Sequence, residues 1–243
     1  MEIRSNACLA AIVLAAGLSG AQTASSVQSS GVDAAVVAAA ESNLSSLLNA
    51  FVNEASASGI PCSIKSPKLV VQDVPSFGSY DPDTNTLTTP VWEQLTAEER
   101  SIFFKGAGPN AREADARAEF ELGAHHWIFV HELGHWWEAC RGMSDHGDHY
   151  AFESEANKIA AAYWNEHDPA VIAHQRQVFQ TILQKWPNPV PSGQSAAPFF
   201  NENYEKLGPT PAYIWFQAKM CIDAFAEQPL PRFSVALAKV VRN

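Results

Sequence analysis

The sequence predicts an α+β fold in which a small sheet packs on one long helix and the C-terminal half is mainly helical. Two short stretches rich in β-branched residues, at 68–74 and 85–89, lie in the N-terminal half and predict strands. Beyond residue 114 most of the chain is predicted to be helical. The longest helical stretch contains the pattern His131-Glu132-Leu133-Gly134-His135.

The elements of the N-terminal half follow from local patterns. The stretch from Asp33 to Ala57 is rich in alanine and has larger apolar residues at helical spacing, which predicts an amphipathic helix that ends near Gly59. The two strands follow, separated by a turn at 80–83. Thr96 and Glu99 form a capping box, which predicts the start of a short helix.

The C-terminal half contains the long helix and several shorter ones. A helix from about Ala114 to Cys140, called the signature helix here, carries the two histidines and stops at Gly142. Several prolines predict a mostly irregular stretch at 187–209. Further helices are predicted at 151–166, 169–185 and 210–227, with a last one beginning at Pro231.

The N-terminus has the features of a secretory signal peptide. Arg4 is followed by an apolar run from Ala7 to Leu18 and by small residues before Gln22. This run is too short to span a bilayer, which requires about 20 apolar residues, and no later run is expected to be long enough. We therefore predict a signal peptide at 1–21, a low-complexity linker at 22–32 and a single domain at 33–243. An uncleaved anchor is the alternative.

Composition restricts the partners. The net charge of −10 argues against nucleic acid, whose phosphates require a basic face on the protein. We expect a protein that is secreted or periplasmic, with no stable membrane insertion once the signal is removed.

Three cysteines follow the predicted signal peptide. An odd number in an oxidising compartment predicts one disulfide and one free thiol, with three possible pairings among Cys62, Cys140 and Cys221. One hypothesis joins Cys140, at the end of the signature helix, to Cys221 in the 210–227 helix. Cys62 competes equally on sequence grounds.

The pattern H-E-x-x-H is typical of a metal site on a helix. His131 and His135 are four residues apart and lie on one helix face, so both imidazoles can reach one metal ion. Glu132 is rotated by about 100° around the helix axis and therefore lies beside the metal. There its carboxylate can act as a general base toward a metal-bound water. Charged and imidazole groups are costly to bury in so apolar a stretch, which favours a shared metal over coincidence.

A third ligand is needed, because catalytic zinc usually has three protein ligands and a water. The metzincin pattern requires glycine three residues and histidine six residues after His135. Those positions hold Glu138 and Arg141, so that pattern fails. A carboxylate on a second helix is the other common solution, and the predicted helix at 151–166 supplies Glu153.

The motif and the downstream residues Glu153-Ser-Glu-Ala-Asn157 together resemble the gluzincins, the zinc peptidases that include thermolysin. Their pattern is H-E-x-x-H followed on a later helix by Glu-x-x-x-Asp or a close variant, and Asn157 replaces the aspartate here. This form is also similar to the ImmA/IrrE-type peptidases, and the CAAX-prenyl proteases share the layout. The likeness covers about 119–166. It implies a zincin-like fold and zinc held by His131, His135 and Glu153.

Helix geometry agrees with these roles. Glu153 and Asn157 are four residues apart and share a face, so Asn157 can accept a hydrogen bond from the free N–H of a ligand imidazole. Gly134 and Ala156 are small and allow the two helices to approach closely. Glu155 diverges from Glu153 by about 200° around the axis, so only one of the two can face the metal. Glu155 is the alternative third ligand.

Other polar side chains are weaker candidates. His125 and His126 lie too far along the helix to join the same ion. A polar loop offers further possible ligands in Asp145, His146, Asp148 and His149. The group that stabilises the oxyanion remains open among Tyr150, Tyr163, Tyr204, Tyr213 and His174.

These observations favour an exported zinc-dependent peptidase that acts on a peptide or protein substrate, with Glu132 as general base. The strand at 85–89 is a candidate edge strand that aligns an extended substrate by backbone pairing. The alternative is a non-catalytic exported zinc-binding module with a structural, adhesive or regulatory role. Glu132 favours the enzyme, because a structural site needs no general base. Oligomeric state, substrate and any activating cleavage are not indicated by the sequence.

Overall fold

A computed structural model of the chain describes residues 32–143, 146–208 and 210–240. The predicted signal peptide at 1–21 lies outside the described residues, as does the predicted linker except for Val32. The described part is a mixed α+β structure with a small sheet in its N-terminal half and mainly helices after it. The predicted α+β class is thereby confirmed.

The elements of the N-terminal half form in the predicted order. The first helix begins after Asp33, whose side chain accepts a hydrogen bond from the N–H of Ala35 at 2.9 Å. The capping box of Thr96 and Glu99 is also present. The elements are α1 (Ala34–Ala57), β1 (Lys68–Val71), β2 (Ser79–Asp81), β3 (Thr86–Thr89), a 3₁₀ turn (Trp92–Gln94) and α2 (Ala97–Ala107).

The sheet corrects two predictions. Tyr80 and Asp81 belong to β2, so the turn expected at 80–83 starts two residues later, where Asp81 accepts a hydrogen bond from the N–H of Asp83 at 2.9 Å. The strand order is β1-β3-β2, with β3 parallel to β1 and antiparallel to β2. The strand at 86–89 is therefore central, and the expectation that it forms a free edge is wrong. Its buried side chains explain the central position.

The signature helix runs without interruption from Glu113 to Cys140 and consists of three parts. An α-helical part, α3 (Glu113–Phe120), is followed by a π-helical segment (Glu121–Ile128) and by α4 (Phe129–Cys140). The π segment was not predicted, because the wider backbone has no distinct apolar period. Two of its carbonyls accept side-chain hydrogen bonds from neighbouring helices: Leu122 from Gln175 at 3.1 Å and His126 from Trp164 at 3.2 Å.

The C-terminal half contains one helix more than predicted. Residues 196–207 form a helix within the stretch expected to be irregular, because Phe200 and Leu207 bury an apolar face that outweighs the neighbouring prolines. The helices after the signature helix are α5 (His149–His167), α6 (Pro169–Lys185), α7 (Ala196–Leu207), α8 (Pro211–Ala226) and α9 (Phe233–Lys239).

Close packing of α4 on α5 fixes the centre of the fold. Gly134 faces Ala156, and a Cβ added to Gly134 would lie 3.0 Å from the Cα of Ala156 and 3.2 Å from its Cβ. The two backbones can approach this closely only because residue 134 has no side chain. The close approach expected from these small residues is thus confirmed.

The disulfide joins Cys62 to Cys140, and Cys221 is a buried free thiol. One bridge and one free thiol were predicted, but the hypothesis of a Cys140–Cys221 bridge is wrong. Cys221 lies in α8 on the side that faces Asn157, whereas Cys140 ends α4 beside the segment that leads into β1.

Helix α1 is long and apolar enough to cross a membrane when judged by length and composition alone, with a mean hydropathy of 1.3 over its most apolar window. The expectation that no run after the signal region has this length is therefore corrected. Its buried residues are Leu44, Leu48, Phe51 and Ala55, and all four pack in the main core.

Candidate metal centre

Helix α4 presents two buried histidines to one point. His131 and His135 are one turn apart, and their Nε2 atoms lie 3.1 Å from each other. Both side chains are almost fully buried, as are nearly all their neighbours on α4. Two unprotonated imidazole nitrogens at this separation would repel each other unless a proton or a cation lies between them.

Glu153 on α5 completes a three-ligand group with these histidines. Its Oε2 lies 3.2 Å from Nε2 of His131 and 3.7 Å from Nε2 of His135. A tetrahedral ion with bonds of about 2.0–2.1 Å keeps its ligand atoms about 3.3 Å apart. The three distances match the edges of such a tetrahedron, so this group can hold one metal ion.

Each ligand histidine is held through its other ring nitrogen. Nδ1 of His131 donates to Oδ1 of Asn157 at 3.1 Å, and Nδ1 of His135 donates to Oε2 of Glu138 at 2.6 Å. These bonds place the protons on Nδ1 and leave the Nε2 lone pairs directed at the metal position. The contact expected between Asn157 and a ligand imidazole is thus present in the structure.

The charges of the site shift several pKa values. Burial lowers the pKa of His135, but the carboxylates of Glu138 and Glu153 outweigh burial and raise it well above the usual value. Burial raises the pKa of Glu153, but hydrogen bonds with the two histidines lower it well below the usual range. Burial raises the pKa of Glu138 to about 7 against the opposing effect of His135. Glu153 is therefore ionised and supplies the negative charge that a cation site requires.

Glu132 lies beside the three-ligand group and outside it. Its Oε2 accepts a hydrogen bond from the backbone N–H of Tyr80 at 2.8 Å, which ties it to strand β2. Burial raises the pKa of its carboxyl, and the nearby histidines partly offset this effect. Gly78 makes room for this contact, because a Cβ there would lie 3.4 Å from Cγ of Glu132 and 2.5 Å from Ile128.

Helix α8 supports the site from the opposite side with three residues at successive turns. Tyr213 donates to Oε1 of Glu153 at 3.1 Å, and Gln217 donates to Oε2 at 2.9 Å. Cys221 donates to Oδ1 of Asn157 at 3.0 Å, and burial raises the pKa of its thiol well above the usual value. The amide of Asn157 donates in turn to Oε1 of Gln217 and to the carbonyl of Glu153. Every polar atom of the Asn157 side chain is thereby bonded.

Among the described residues, the alternative ligands do not belong to the three-ligand group. The side chain of Glu155 forms an ion pair with Lys158 and does not belong to the three-ligand group. Asp148 caps α5, and the ring of His149 stacks on Tyr204 at 3.8 Å between centroids. His146 is exposed, and Asp145 lies outside the described residues.

The histidines before the motif are also separate from the site. Nε2 of His125 lies 2.8 Å from the carbonyl oxygen of Pro90, and its Nδ1 lies 2.7 Å from Oε2 of Glu121. The ring of His126 packs against Trp164.

Two of the five candidates for oxyanion stabilisation contact the metal-ligand group, and the other three make different contacts. Tyr213 and Tyr204 both reach Oε1 of Glu153, at 3.1 Å and 3.3 Å, and Tyr213 also lines the cavity next to His131. Tyr163 packs in the main core against Phe51. The remaining two are engaged away from the ligands: the ring of Tyr150 packs on Phe200, and His174 pairs with Glu119.

Sequence reasoning missed three residues that hold the site. Glu138 was used only to exclude the metzincin pattern, although its spacing of three from His135 places both on one helix face. Gln217 carried no recognisable signal, because nothing in the sequence aligns α8 with α5. Tyr80 contributes a backbone N–H, which any residue except proline supplies.

Comparison with protein-family models, with curated proteins and with solved structures gives no match. The assignment of function rests on the geometry of the site.

Proposed function

We propose that this protein is an exported zinc-dependent peptidase with a zincin-like fold. The observation that carries the proposal is a buried carboxylate, Glu132, next to a group of three metal-ligating atoms from His131, His135 and Glu153. Two imidazoles and one carboxylate form a ligand set used by catalytic zinc, which leaves a fourth position for water or substrate. A structural site would be closed by a fourth protein ligand.

The residues of this chain account for the proton transfers of peptide hydrolysis. Zinc, when bound, supplies a Lewis acid that polarises the scissile carbonyl and lowers the pKa of water to about 7. Glu132 accepts a proton from the attacking water and passes it to the leaving nitrogen. Its raised pKa suits both steps, because a carboxyl that is too acidic returns its proton poorly. Asn157 and Glu138 keep the histidines in the tautomer that the site requires.

Strand β2 and Tyr213 are proposed to bind the substrate and to stabilise the oxyanion, respectively. Strand β2 takes the role expected of 85–89, because it lies at the edge of the sheet and contacts Glu132 through Tyr80. An extended substrate that adds to this edge would bring its backbone to the metal site. The hydroxyl of Tyr213 is the donor best placed to stabilise the oxyanion, since it reaches Glu153 and lines the cavity at His131.

The disulfide supports export. Bridges such as Cys62–Cys140 form and persist in oxidising compartments and are rare in the cytosol. The N-terminal signal-like segment points the same way, and sequencing of the protein from a producing cell should find an N-terminus near Gln22. An intact Met1 in a cytoplasmic fraction would contradict export without affecting the metal site.

The test combines metal analysis with one conservative substitution. The purified protein should contain about one zinc per chain and cleave peptides from a mixed library. Glu132→Gln should retain the zinc and lose hydrolysis by several orders of magnitude, because the amide cannot accept the proton. Equal activity of both proteins would sink the peptidase proposal. Zinc without hydrolysis in either protein would favour the non-catalytic zinc-binding module instead.

A further inference from the structure

A cavity of about 480 Å³ opens beside the metal-ligand group and runs along the signature helix. His131 and Glu132 line one end, and Trp127, Gly123 and Glu119 line it at successive turns of the same helix. From Glu119 to Glu132 such a helix covers about 15–20 Å. The cavity therefore reaches well beyond the space that the reacting peptide bond needs.

The walls of this cavity are mainly apolar. Ile128 lies beside Trp127 on the signature helix, and Phe103 on α2 and Phe179 and Ile182 on α6 face it. Of the charged side chains outside the metal site, Lys105 and Lys185 are exposed, whereas Glu119 is largely buried and pairs with His174. A cavity of 300–1,000 Å³ with apolar walls and few polar groups is typical of a site for an organic ligand.

One wall of the cavity has an unfavourable local structure. This wall is formed by the π segment. Turns of π-helix are rare and often mark functional sites. Gly123 lies in this segment, although glycine inside a helix is less stable than alanine. A Cβ at Gly123 would meet only Cε1 of Phe103, at 3.7 Å. Alanine would fit at this position, so close packing does not require glycine there. The absence of a side chain at Gly123 leaves open space in the cavity next to the π segment.

We propose that this cavity binds an extended run of bulky apolar residues next to the scissile bond, so that the substrates are peptides with hydrophobic segments. This inference rests on the proposed peptidase function. An extended chain advances about 3.3 Å per residue, so the length of the cavity accommodates about five residues. The cavity is continuous with His131 and Glu132, so a ligand that fills it lies next to the groups proposed to carry out hydrolysis. We therefore assign the cavity to the substrate.

The experiment compares two synthetic ten-residue peptides, one with three consecutive Leu or Phe residues and one with Ser at those positions. Burial of each bulky side chain stabilises a complex by about 1.5–3 kcal/mol, which corresponds to roughly tenfold to 100-fold per residue. The wild type should therefore cleave the apolar peptide with a kcat/KM at least tenfold higher than the Ser peptide. Cleavage should occur at the boundary of the apolar run.

Cavity-filling variants test the location. Gly123→Leu fills the space above the π segment, and Ile182→Asn puts a polar group into a half-buried wall position; both should bring the ratio of the two kcat/KM values close to 1. Ala173→Leu is the matched control, because Ala173 is exposed on α6 and does not line the cavity. That variant should keep the wild-type ratio. A ratio near 1 in the wild type, or a wild-type ratio in both cavity variants, would overturn the subsite.

A binding measurement separates this proposal from the proposed function. Zinc-loaded Glu132→Gln should bind the apolar peptide at least tenfold more tightly than the Ser peptide, by calorimetry, and Gly123→Leu in that background should remove the difference. If no peptide is cleaved but this preference is found, the peptidase proposal fails and the cavity assignment stands. If cleavage depends on Glu132 but neither binding nor cleavage distinguishes the two peptides, the peptidase proposal stands and the cavity assignment fails. Preference for a free fatty acid over both peptides would also overturn the peptide assignment.

Discussion

Oε2 of Glu138 lies 2.6 Å from Nδ1 of His135, at the sequence position where a metzincin would have glycine. Both side chains are buried, and they lie three residues apart on α4. The contact gives His135 the same support that Asn157 gives His131 from a different helix. Each ligand imidazole is therefore oriented through its Nδ1 atom. The partner of His135 lies on the same helix, and the partner of His131 lies on α5.

The first prediction concerns this contact. Glu138→Ala should weaken zinc binding by about 10–100-fold, because loss of an orienting partner frees the ring of His135. Glu138→Gln should lose less, since its amide oxygen still accepts the Nδ1–H. Competition with a chelator measures both affinities. Equal affinities in Glu138→Ala and the wild type would show that the contact does not position the ligand.

The second prediction separates the two glutamates of α5. Glu153→Ala should release zinc under mild chelation, because it removes one of three ligand atoms and leaves the histidines alone. Glu155→Ala should retain zinc, because Glu155 pairs with Lys158 at a partly exposed position. Zinc content after dialysis against a weak chelator distinguishes them. The opposite result would place the ligand two residues further along the helix.

The third prediction tests the oxyanion donor. Tyr213→Phe should lower kcat by about 10²–10³-fold with little change in zinc content, as expected for loss of one donor to the developing charge. Tyr204→Phe is the matched control, because its hydroxyl reaches the same oxygen of Glu153 but does not line the cavity. A similar loss in both variants would mean that the hydroxyls act only by holding Glu153.

The sequence was sufficient for the H-E-x-x-H motif of α4, although it missed Glu138 on the same helix. The roles of His131, His135 and Glu132 follow from helix periodicity. Glu153 and Asn157 were indicated by the resemblance to the gluzincin pattern, and their spacing of four residues agreed with it. Contacts between distant segments were not accessible. Gln217 and Cys221 meet Asn157 only through the packing of α8 on α5, which depends on the whole core.

The errors in the fold have the same cause. Alternation of residues predicts a strand but not its neighbours, so β3 was expected at an edge although β2 covers it. Prolines near Ala196–Leu207 argued for irregular structure, but tertiary burial of Phe200 favoured a helix. The disulfide was equally inaccessible, because pairing among three cysteines requires the positions of the helices.

The fourth prediction concerns the disulfide. The bridge closes a loop with a sequence separation of 78 residues, so its loss should lower the free energy of unfolding by about 2–4 kcal/mol. The double variant Cys62→Ala/Cys140→Ala compared with the wild type in urea measures this difference. Non-reducing peptide mapping should link the peptides of Cys62 and Cys140 and leave Cys221 free. A bridge that includes Cys221 would contradict the packing of α8.

The last prediction tests the distance between α4 and α5, on which the geometry of the metal group depends. A methyl group at Gly134 would lie 3.0 Å from the Cα and 3.2 Å from the carbonyl oxygen of Ala156, which are backbone atoms that cannot rotate away. Gly134→Ala must therefore push the helices apart. Overpacking of this kind typically costs about 1–3 kcal/mol, and a better helix propensity returns about 1 kcal/mol at most.

The effect on zinc should exceed the effect on stability, because His131 and His135 are on α4 whereas Glu153 is on α5. A shift of a few tenths of an ångström moves one ligand atom away from the other two, so zinc affinity should fall by tenfold or more even where the protein remains folded. Adding Ala156→Gly removes the Cβ contact at 3.2 Å but leaves the backbone contacts, so the double variant should recover part of the affinity. Circular dichroism and chelator competition on the same samples separate folding from metal binding. Unchanged affinity in a folded Gly134→Ala protein would show that the spacing of the two helices does not set the geometry of the site.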